Sequence, residues 1–315
     1  MKNTLTPWLM ASRPKTLPAG ASPVFLGLAL SVQEGNGSLS LVTALLTLLC
    51  ALTLQISSNL INDYYDGVKG LDGVDRLGPE RVTSLGLLAA PVIKKGFIAS
   101  LFLAFLFGLY LMIHAGLPII IIGLLSLFFA WAYTGGPFPL SYYALGEAFA
   151  FLFFGPVAVW GSYFIQTQNL ALPSIVLLGG SSVGLLSSAI MGVNNLRDID
   201  QDRLKAKVTL ATLLGAKAMR LLIMTFIILS TALATAMLWP LPLAAKACPV
   251  IIFCLFWPVW RQVLYRAQAR ELNNTLANIG KFLFISTVIN CVLLTFLETQ
   301  NGIAIVFNSF AHLGG

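Results

Sequence analysis

Eight of the twelve carboxylates in this 315-residue chain fall in two short stretches. Asp63, Asp66, Asp72, Asp75 and Glu80 make the first, and Asp198, Asp200 and Asp202 the second. The first opens on Gln55, Asn59, Asn62, Asp63 and Asp66, which at 100° per residue share roughly a 100° arc of one helix. Asn194, Arg197, Asp198, Gln201, Asp202 and Lys205 form a similar, wider stripe. Spacings of three (Asp63 and Asp66) and four (Asp198 and Asp202) put two carboxylates on one side of a helix. Hard divalent cations take oxygen ligands, and Mg²⁺ typically combines one or two carboxylates with waters and substrate phosphate oxygens. Lys69, Arg76, Arg81, Arg197, Arg203, Lys205 and Lys207, set among the acids, suit an anion that the metal also binds. The economical reading is a metal–diphosphate complex between the two stripes; a solvated loop is the plainer alternative for Asp66, Asp72 and Asp75. Gly67, Gly70, Gly73 and Gly78 could bring backbone amides near phosphate but serve equally as turn residues, and no phosphate-loop spacing is present.

The elements that must position these groups are apolar. Hydrophobic residues make up 57% of the chain, charged ones only 10%, and the mean hydropathy is +0.86. A soluble domain carries roughly 25% charged residues, so a soluble enzyme, a disordered chain and a collagen-like fibre are excluded. About twenty apolar residues cross a bilayer as a helix. Nine runs qualify: Leu17–Val32, Leu39–Ile61, Phe97–Ile113, Leu117–Tyr133, Tyr143–Ile165, Ile175–Val193, Leu221–Trp239, Ala244–Trp260 and Phe282–Leu297. Their continuity, without strand-like alternation, disfavours a β-barrel. Ile303–Phe310 is too short to cross and is expected at the surface. The start has no basic-then-apolar leader pattern and reads as an uncleaved first span.

With nine spans, eighteen of the nineteen Lys and Arg residues fall on one side, and only Lys246 falls on the other. That bias places the N-terminus and the loops of about 62–96 and 194–220 in the cytoplasm, and the C-terminus outside. The net charge of +7 is accounted for by orientation and attraction to anionic lipid, with no nucleic-acid partner required. Four crossings separate the two acidic stripes, so both lie on one side and can face a single cavity. The expectation is one all-α membrane domain over residues 1–315, nine helices bundled around a cavity open to the cytoplasm and laterally to lipid. Cys50, Cys248, Cys254 and Cys291 lie inside apolar runs without metal or redox spacing and read as small buried hydrophobes.

These motifs resemble those of the UbiA superfamily of intramembrane prenyltransferases. Its Asn-Asp-x-x-Asp matches Asn62, Asp63 and Asp66, and its Asp-x-x-x-Asp matches Asp198 and Asp202. The general pattern has another Asp where Gly70 stands, and the next acid here, Asp72, resembles the branch that prenylates 1,4-dihydroxy-2-naphthoate. Arg13-Pro-Lys-Thr-Leu-Pro18, Asp75-Arg-Leu-Gly-Pro79, Tyr133-Thr-Gly-Gly-Pro-Phe-Pro-Leu140 with Gly146-Glu147, and Asn194-Asn-Leu-Arg-Asp198 through Lys207, Thr209 and Leu210 are similar to that branch too. Val208 stands where the branch usually has a basic residue.

The resemblance implies transfer of a polyprenyl group from an allylic diphosphate to that naphthoate, with decarboxylation to demethylmenaquinol, in a bacterial inner membrane. It implies about two Mg²⁺ ions on Asp63, Asp66, Asp72, Asp198 and Asp202. The diphosphate would meet Asn59, Asn62, Lys69, Arg76, Asn194, Arg197, Lys205 and Lys207. Arg13, Lys15 and Tyr133 would meet the aromatic acceptor, although interfacial snorkelling explains the two cations nearly as well. Glu147 could take a proton from an aromatic hydroxyl, or simply sit at a helix start. Tyr64, Tyr65, Tyr133, Phe149, Phe153 and Phe154 could stabilise an allylic cation, or merely pack. His114 and His312 lie toward the outer side, away from the clusters. A different aromatic acceptor stays open, as does an ion-coupled transporter, which also uses intramembrane carboxylates. The acids at the cytoplasmic rim, rather than mid-bilayer, argue against the transporter.

Overall fold

The structure is a computed structural model that describes residues 5–34, 39–68, 77–78, 81–266 and 269–311, with only the backbone of 296–311. Lys69, Asp72, Asp75, Arg76, Glu80 and His312 lie outside the described residues.

The described chain is helical throughout. A short helix α1 (Leu5–Ser12) leads through Arg13, in the left-handed region at φ 49°, and a 3₁₀ turn into α2 (Leu17–Glu34). Then come α3 (Leu41–Val68), α4 (Ala90–Ala115) and α5 (Leu117–Ala132). Gly116, at φ 73°, makes the reversal between α4 and α5 that a side chain would strain. Two helices, α6 (Gly146–Leu152) and α7 (Ala158–Thr167), flank a π-helical turn at Phe153–Val157 that contains Pro156. The rest are α8 (Ser174–Arg197), α9 (Ile199–Leu204), α10 (Leu210–Met237), α11 (Leu243–Leu255), α12 (Trp257–Arg261) and α13 (Leu272–Ala311).

Among the described residues, seven helical segments are long and apolar enough to cross a membrane on their own. The expected eighth is broken by a 48° bend between α11 and the helix that follows, and the expected fourth, α5, has only 16 residues. At 1.5 Å per residue α5 measures about 24 Å, short of a hydrocarbon core of about 30 Å. Large apolar side chains such as Phe102, Ile113, Leu124, Phe128 and Ile251 are exposed on the outer faces, as lipid contact requires of a multi-pass membrane protein.

Several boundaries move from expectation. Helix α3 runs on through the polar motif to Val68, α4 starts at Ala90 rather than Phe97, and α10 starts at Leu210 rather than Leu221. Thr209 and Thr212 cap one another reciprocally at the start of α10, which fixes it close behind the second acidic stripe. The expected surface segment Ile303–Phe310 continues α13.

Packing centres on α8, which lies against α10, α6, α13 and α2. It is rich in Gly, Ser and Ala, whose small size lets helices approach closely in lipid, where no hydrophobic drive exists between them. Added to Gly155, a Cβ would meet backbone atoms of Gly180 and Gly184 at 2.6 Å, so only glycine lets the π-turn press onto α8. The Ser182 hydroxyl donates to Ser230 O (2.9 Å) and the Ser230 hydroxyl to Ser182 O (2.8 Å), stitching α8 to α10.

Candidate active site

The polar wall on α3 begins two turns below its end. Asn59, 4% exposed, donates its amide to Ser12 O (3.0 Å) and Thr16 Oγ1 (3.1 Å), drawing the N-terminal turn against α3. That contact sets Arg13 beside Asp63, with which it forms an ion pair. Arg81, buried beyond the end of α3, pairs with Asp66, lies 3.7 Å from Asp63 and donates to the Asn62 carbonyl. Thr134, from the loop after α5, donates to the Asn62 side chain.

The opposite wall ends α8. Arg197 holds Asp198 through Nε (2.8 Å) and Nη2 (2.6 Å), and also donates to Asn194 Oδ1 (2.9 Å) and Asn273 Oδ1 (2.8 Å). Asp202 follows on α9, with Lys207 3.4 Å from its Oδ1 and no hydrogen-bond partner at Oδ2. Burial pushes the Asp202 carboxyl above the usual carboxylate range, a shift that Lys207 opposes and Asp198 reinforces. A single bridge between Tyr143 and Val208, with Ala144 N donating to Val208 O (2.9 Å), ties the loop after α5 to this wall. Val208 thus serves through its backbone. The Tyr142 phenol is pushed up by burial and by the charges of Asp66 and Asp202 together, a sign that it senses both walls.

Between the walls lies one cavity of about 870 Å³. Asn59, Asn62 and Asp66 face it from α3; Asn194, Arg197, Asp198, Asp202, Lys205 and Lys207 from the second wall; Arg13, Lys15 and Tyr133 from the loops. Away from the acids the lining turns apolar, with Phe129, Phe149, Phe153 and Phe154, then Leu111, Met112, Ile119 and Ile122 deep between α4 and α5. Phe129, Phe149 and Phe153 pack with ring centres 4.9 to 5.9 Å apart.

Four expected residues, Asp63, Glu147, Tyr64 and Tyr65, stand apart from the cavity. Asp63, 1% exposed, lies behind the wall as counter-ion to Arg13 and Arg81. Glu147, 3% exposed, accepts from Asn195 Nδ2 (2.9 Å) at one oxygen and has no hydrogen-bond partner at the other. Asn195, rather than Glu147, lines the cavity. Tyr64 and Tyr65 pack on Phe97 outside it, and Trp131 Nε1 donates to Tyr65 (3.0 Å). Phe129, Asn195 and Asn273 are cavity residues that sequence reasoning gave no role, although Asn195 stands inside the second motif; Arg81, read there as one of the cations suited to an anion, lines the cavity too.

The donor set fits a hard divalent cation. Asp66 and Asp198 open onto the cavity with side chains 20% exposed, and Asp202 adds an unpartnered buried oxygen. Among the described residues no three Asp, Glu, His or Cys side chains gather as a ready-made metal cluster. Such sparse protein ligation is the pattern Mg²⁺ shows when substrate phosphate oxygens complete its shell.

Residues 21–288 match the family described as the UbiA prenyltransferase family. The chain is 39% identical over 214 residues to the 1,4-dihydroxy-2-naphthoate octaprenyltransferase of Escherichia coli, covering 66% of this chain and 68% of that protein. It is 35% identical over 261 residues to the 1,4-dihydroxy-2-naphthoate octaprenyltransferase of Haemophilus influenzae, covering 78% and 82%. A UbiA homolog from Archaeoglobus fulgidus, solved bound to GPP and Mg²⁺, shares the fold with a TM-score of 0.66 at 15% identity, over 91% of this chain and 99% of that one.

Proposed function

We propose that this chain, which belongs to the UbiA prenyltransferase family, transfers a polyprenyl group from an allylic polyprenyl diphosphate to 1,4-dihydroxy-2-naphthoate, with decarboxylation to demethylmenaquinol. The observation that carries this is one cavity with acidic and basic groups from both stripes at one end and aromatic, then aliphatic, side chains beyond them. An ionic head and an apolar tail are the two halves of a lipid diphosphate. The described helices form a single domain of nine crossings in the bacterial inner membrane, with α5 and the bent α11–α12 unit counted as spans. Eighteen of nineteen Lys and Arg residues support a cytoplasmic N-terminus, an outer C-terminus and a cytoplasmic mouth. The route for a long tail is lateral, into lipid.

In this reading Asp66 on one wall and Asp198 and Asp202 on the other would hold magnesium, two ions in all. When bound, magnesium offsets the charge that develops on the departing diphosphate, an effect worth several kcal/mol in a transition state. Asn62, Asn194, Arg197, Lys205 and Lys207 bind and orient the diphosphate oxygens from the protein side. Asp63 pairs with Arg13 and Arg81 and holds them in place. The allylic C–O bond breaks, its electron pair leaving with the diphosphate. Phe129, Phe149 and Phe153 turn aromatic faces to the cationic carbon and exclude the water that would capture it as an alcohol. Ring π electrons of the naphthoate form the new C–C bond, and the carboxylate departs as carbon dioxide, returning its bonding pair to the ring. Lys15, with Arg13, meets that carboxylate, and Tyr133 flanks the ring.

The test is purified protein in detergent with farnesyl diphosphate, Mg²⁺ and a panel of aromatic acids. Prenylated naphthoate with stoichiometric carbon dioxide is the expected result. Preference for 4-hydroxybenzoate would overturn the acceptor assignment, and ion flux in liposomes without any chemistry would overturn the enzyme.

A further inference from the structure

Arg197 is nearly buried, 4% exposed, yet it lines the cavity, so its guanidinium direction is set by whatever accepts its protons. Three of its acceptor oxygens come from its own helix end, Asn194 Oδ1 and both oxygens of Asp198. The fourth is foreign. Asn273 arrives from the start of α13, 76 residues along the chain, and accepts from Arg197 Nη1 at 2.8 Å. Its Nδ2 donates to the carbonyl of Leu77, also at 2.8 Å, in the segment that follows the first acidic motif. The orientation of this amide is forced, because a guanidinium only donates and a carbonyl only accepts. Asn273 also lines the cavity.

We infer that Asn273 is a positioning residue for diphosphate recognition: held by Leu77, it fixes Arg197 at the cavity wall and joins the two acidic motifs through the last helix. The inference rests on the prenyl-transfer reading of the cavity and adds a residue that neither stripe contains. Arginine recognises phosphate through the fixed fork of its N–H groups, so a rotated guanidinium loses the geometry while keeping its charge. Without Asn273, Asp198 and Asn194 still hold Nε and Nη2, but Nη1 has no protein acceptor among the contacts seen. The guanidinium then keeps its fork on Asp198 but loses the contact that fixes its outer nitrogen from another helix. Aspartate at position 273 keeps an acceptor for Nη1 while losing the amide donor to Leu77. Leucine keeps the approximate volume and offers neither contact.

The probe is inorganic pyrophosphate with Mg²⁺, titrated calorimetrically into detergent-purified wild type, Asn273→Leu and Asn273→Asp, each first shown to unfold cooperatively. The same proteins give KM for farnesyl diphosphate and for the naphthoate separately. Asn273→Leu is expected to weaken pyrophosphate about tenfold and to raise the donor KM in parallel, with the acceptor KM within about twofold. Asn273→Asp, which keeps the acceptor for Nη1 but loses the tie to Leu77 and adds a negative charge, is expected to lose clearly less pyrophosphate affinity than Asn273→Leu. A purely structural role would move donor and acceptor KM together, and that outcome overturns the inference. So does an unchanged pyrophosphate affinity in Asn273→Leu, or an equal loss in both variants. Pyrophosphate binding is read without turnover. A wild type that binds it but prenylates nothing therefore sinks the prenyl-transfer reading and leaves the Asn273 result standing.

Discussion

Replacing Arg81 by methionine removes the cation that pairs with Asp66 and stands 3.7 Å from Asp63 while keeping much of its apolar stem. Arg81 is 7% and Asp63 2% exposed at the side chain, whereas Asp66 is 20% exposed and reaches the cavity. Breaking a buried ion pair by removing one partner costs about 3–5 kcal/mol, because a desolvated charge is stranded. Here Arg13 still pairs with Asp63, and Asp66 has partial access to water, so about 2–3 kcal/mol is expected. Reversible unfolding in detergent measures it for Arg81→Met, Asp66→Asn and the double variant. The double should fall short of the sum of the singles by about 1–3 kcal/mol, since each single strands the partner that the double removes. Arg81→Met should also raise the KM for the diphosphate donor. Additive singles, or an Arg81→Met protein within 0.5 kcal/mol of wild type (about the scatter of independent sites), would refute the reading of Arg81 as the clasp on the first motif.

Two further substitutions separate roles within the cavity. Burial raises the Asp202 carboxyl against the pull of Lys207, so the folded state favours its protonated form more than the unfolded state does. Its stabilising contribution is therefore whole below about pH 4 and is lost as pH rises through the raised value. Asp202→Asn, a permanent stand-in for the protonated form, should melt above wild type at pH 7 and with it below about pH 4, while losing prenyl transfer; a lower melting point at pH 7 would contradict this. For Glu147, which holds Asn195 from behind the cavity wall, Asn195 still finds an acceptor in Glu147→Gln. That variant should keep turnover within about threefold and Glu147→Leu should lose at least about tenfold, whereas a general base would make Gln as damaging as Leu and delete one limb of the pH profile.

Both acidic stripes were legible in the sequence because helical periodicity reports which residues share a face, and crossing parity reports which ends share a side of the membrane. The cavity that receives Asp66, Asp198 and Asp202 together is what those two rules require. Periodicity does not report partners, however. Asp63 and Asp66 share a face by spacing, yet Arg13 and Arg81 draw Asp63 behind the wall and leave Asp66 open to the cavity. Nothing along the chain links Asn273 to Arg197, a contact that exists only because α13 packs on α8. Apolar runs report the thickness of a bilayer but not backbone continuity. The π-turn at Phe153–Val157 and the bend after α11 lie inside runs that read as unbroken. Helix α3 continues to Val68, past the end of its apolar run at Ile61, as the shared arc of Gln55 to Asp66 presumes, because polar residues end an apolar run without ending a helix.

The account depends on Asp66 and Asp198 sharing one magnesium-bound diphosphate from opposite walls. The direct measurement is Mg²⁺-dependent prenylation of 1,4-dihydroxy-2-naphthoate by Asp66→Asn and Asp198→Asn, in protein that still inserts and binds detergent as wild type does. Each variant should lose at least about a hundredfold in kcat, the scale on which removing one transition-state charge contact acts. Near-normal turnover in either one would contradict it.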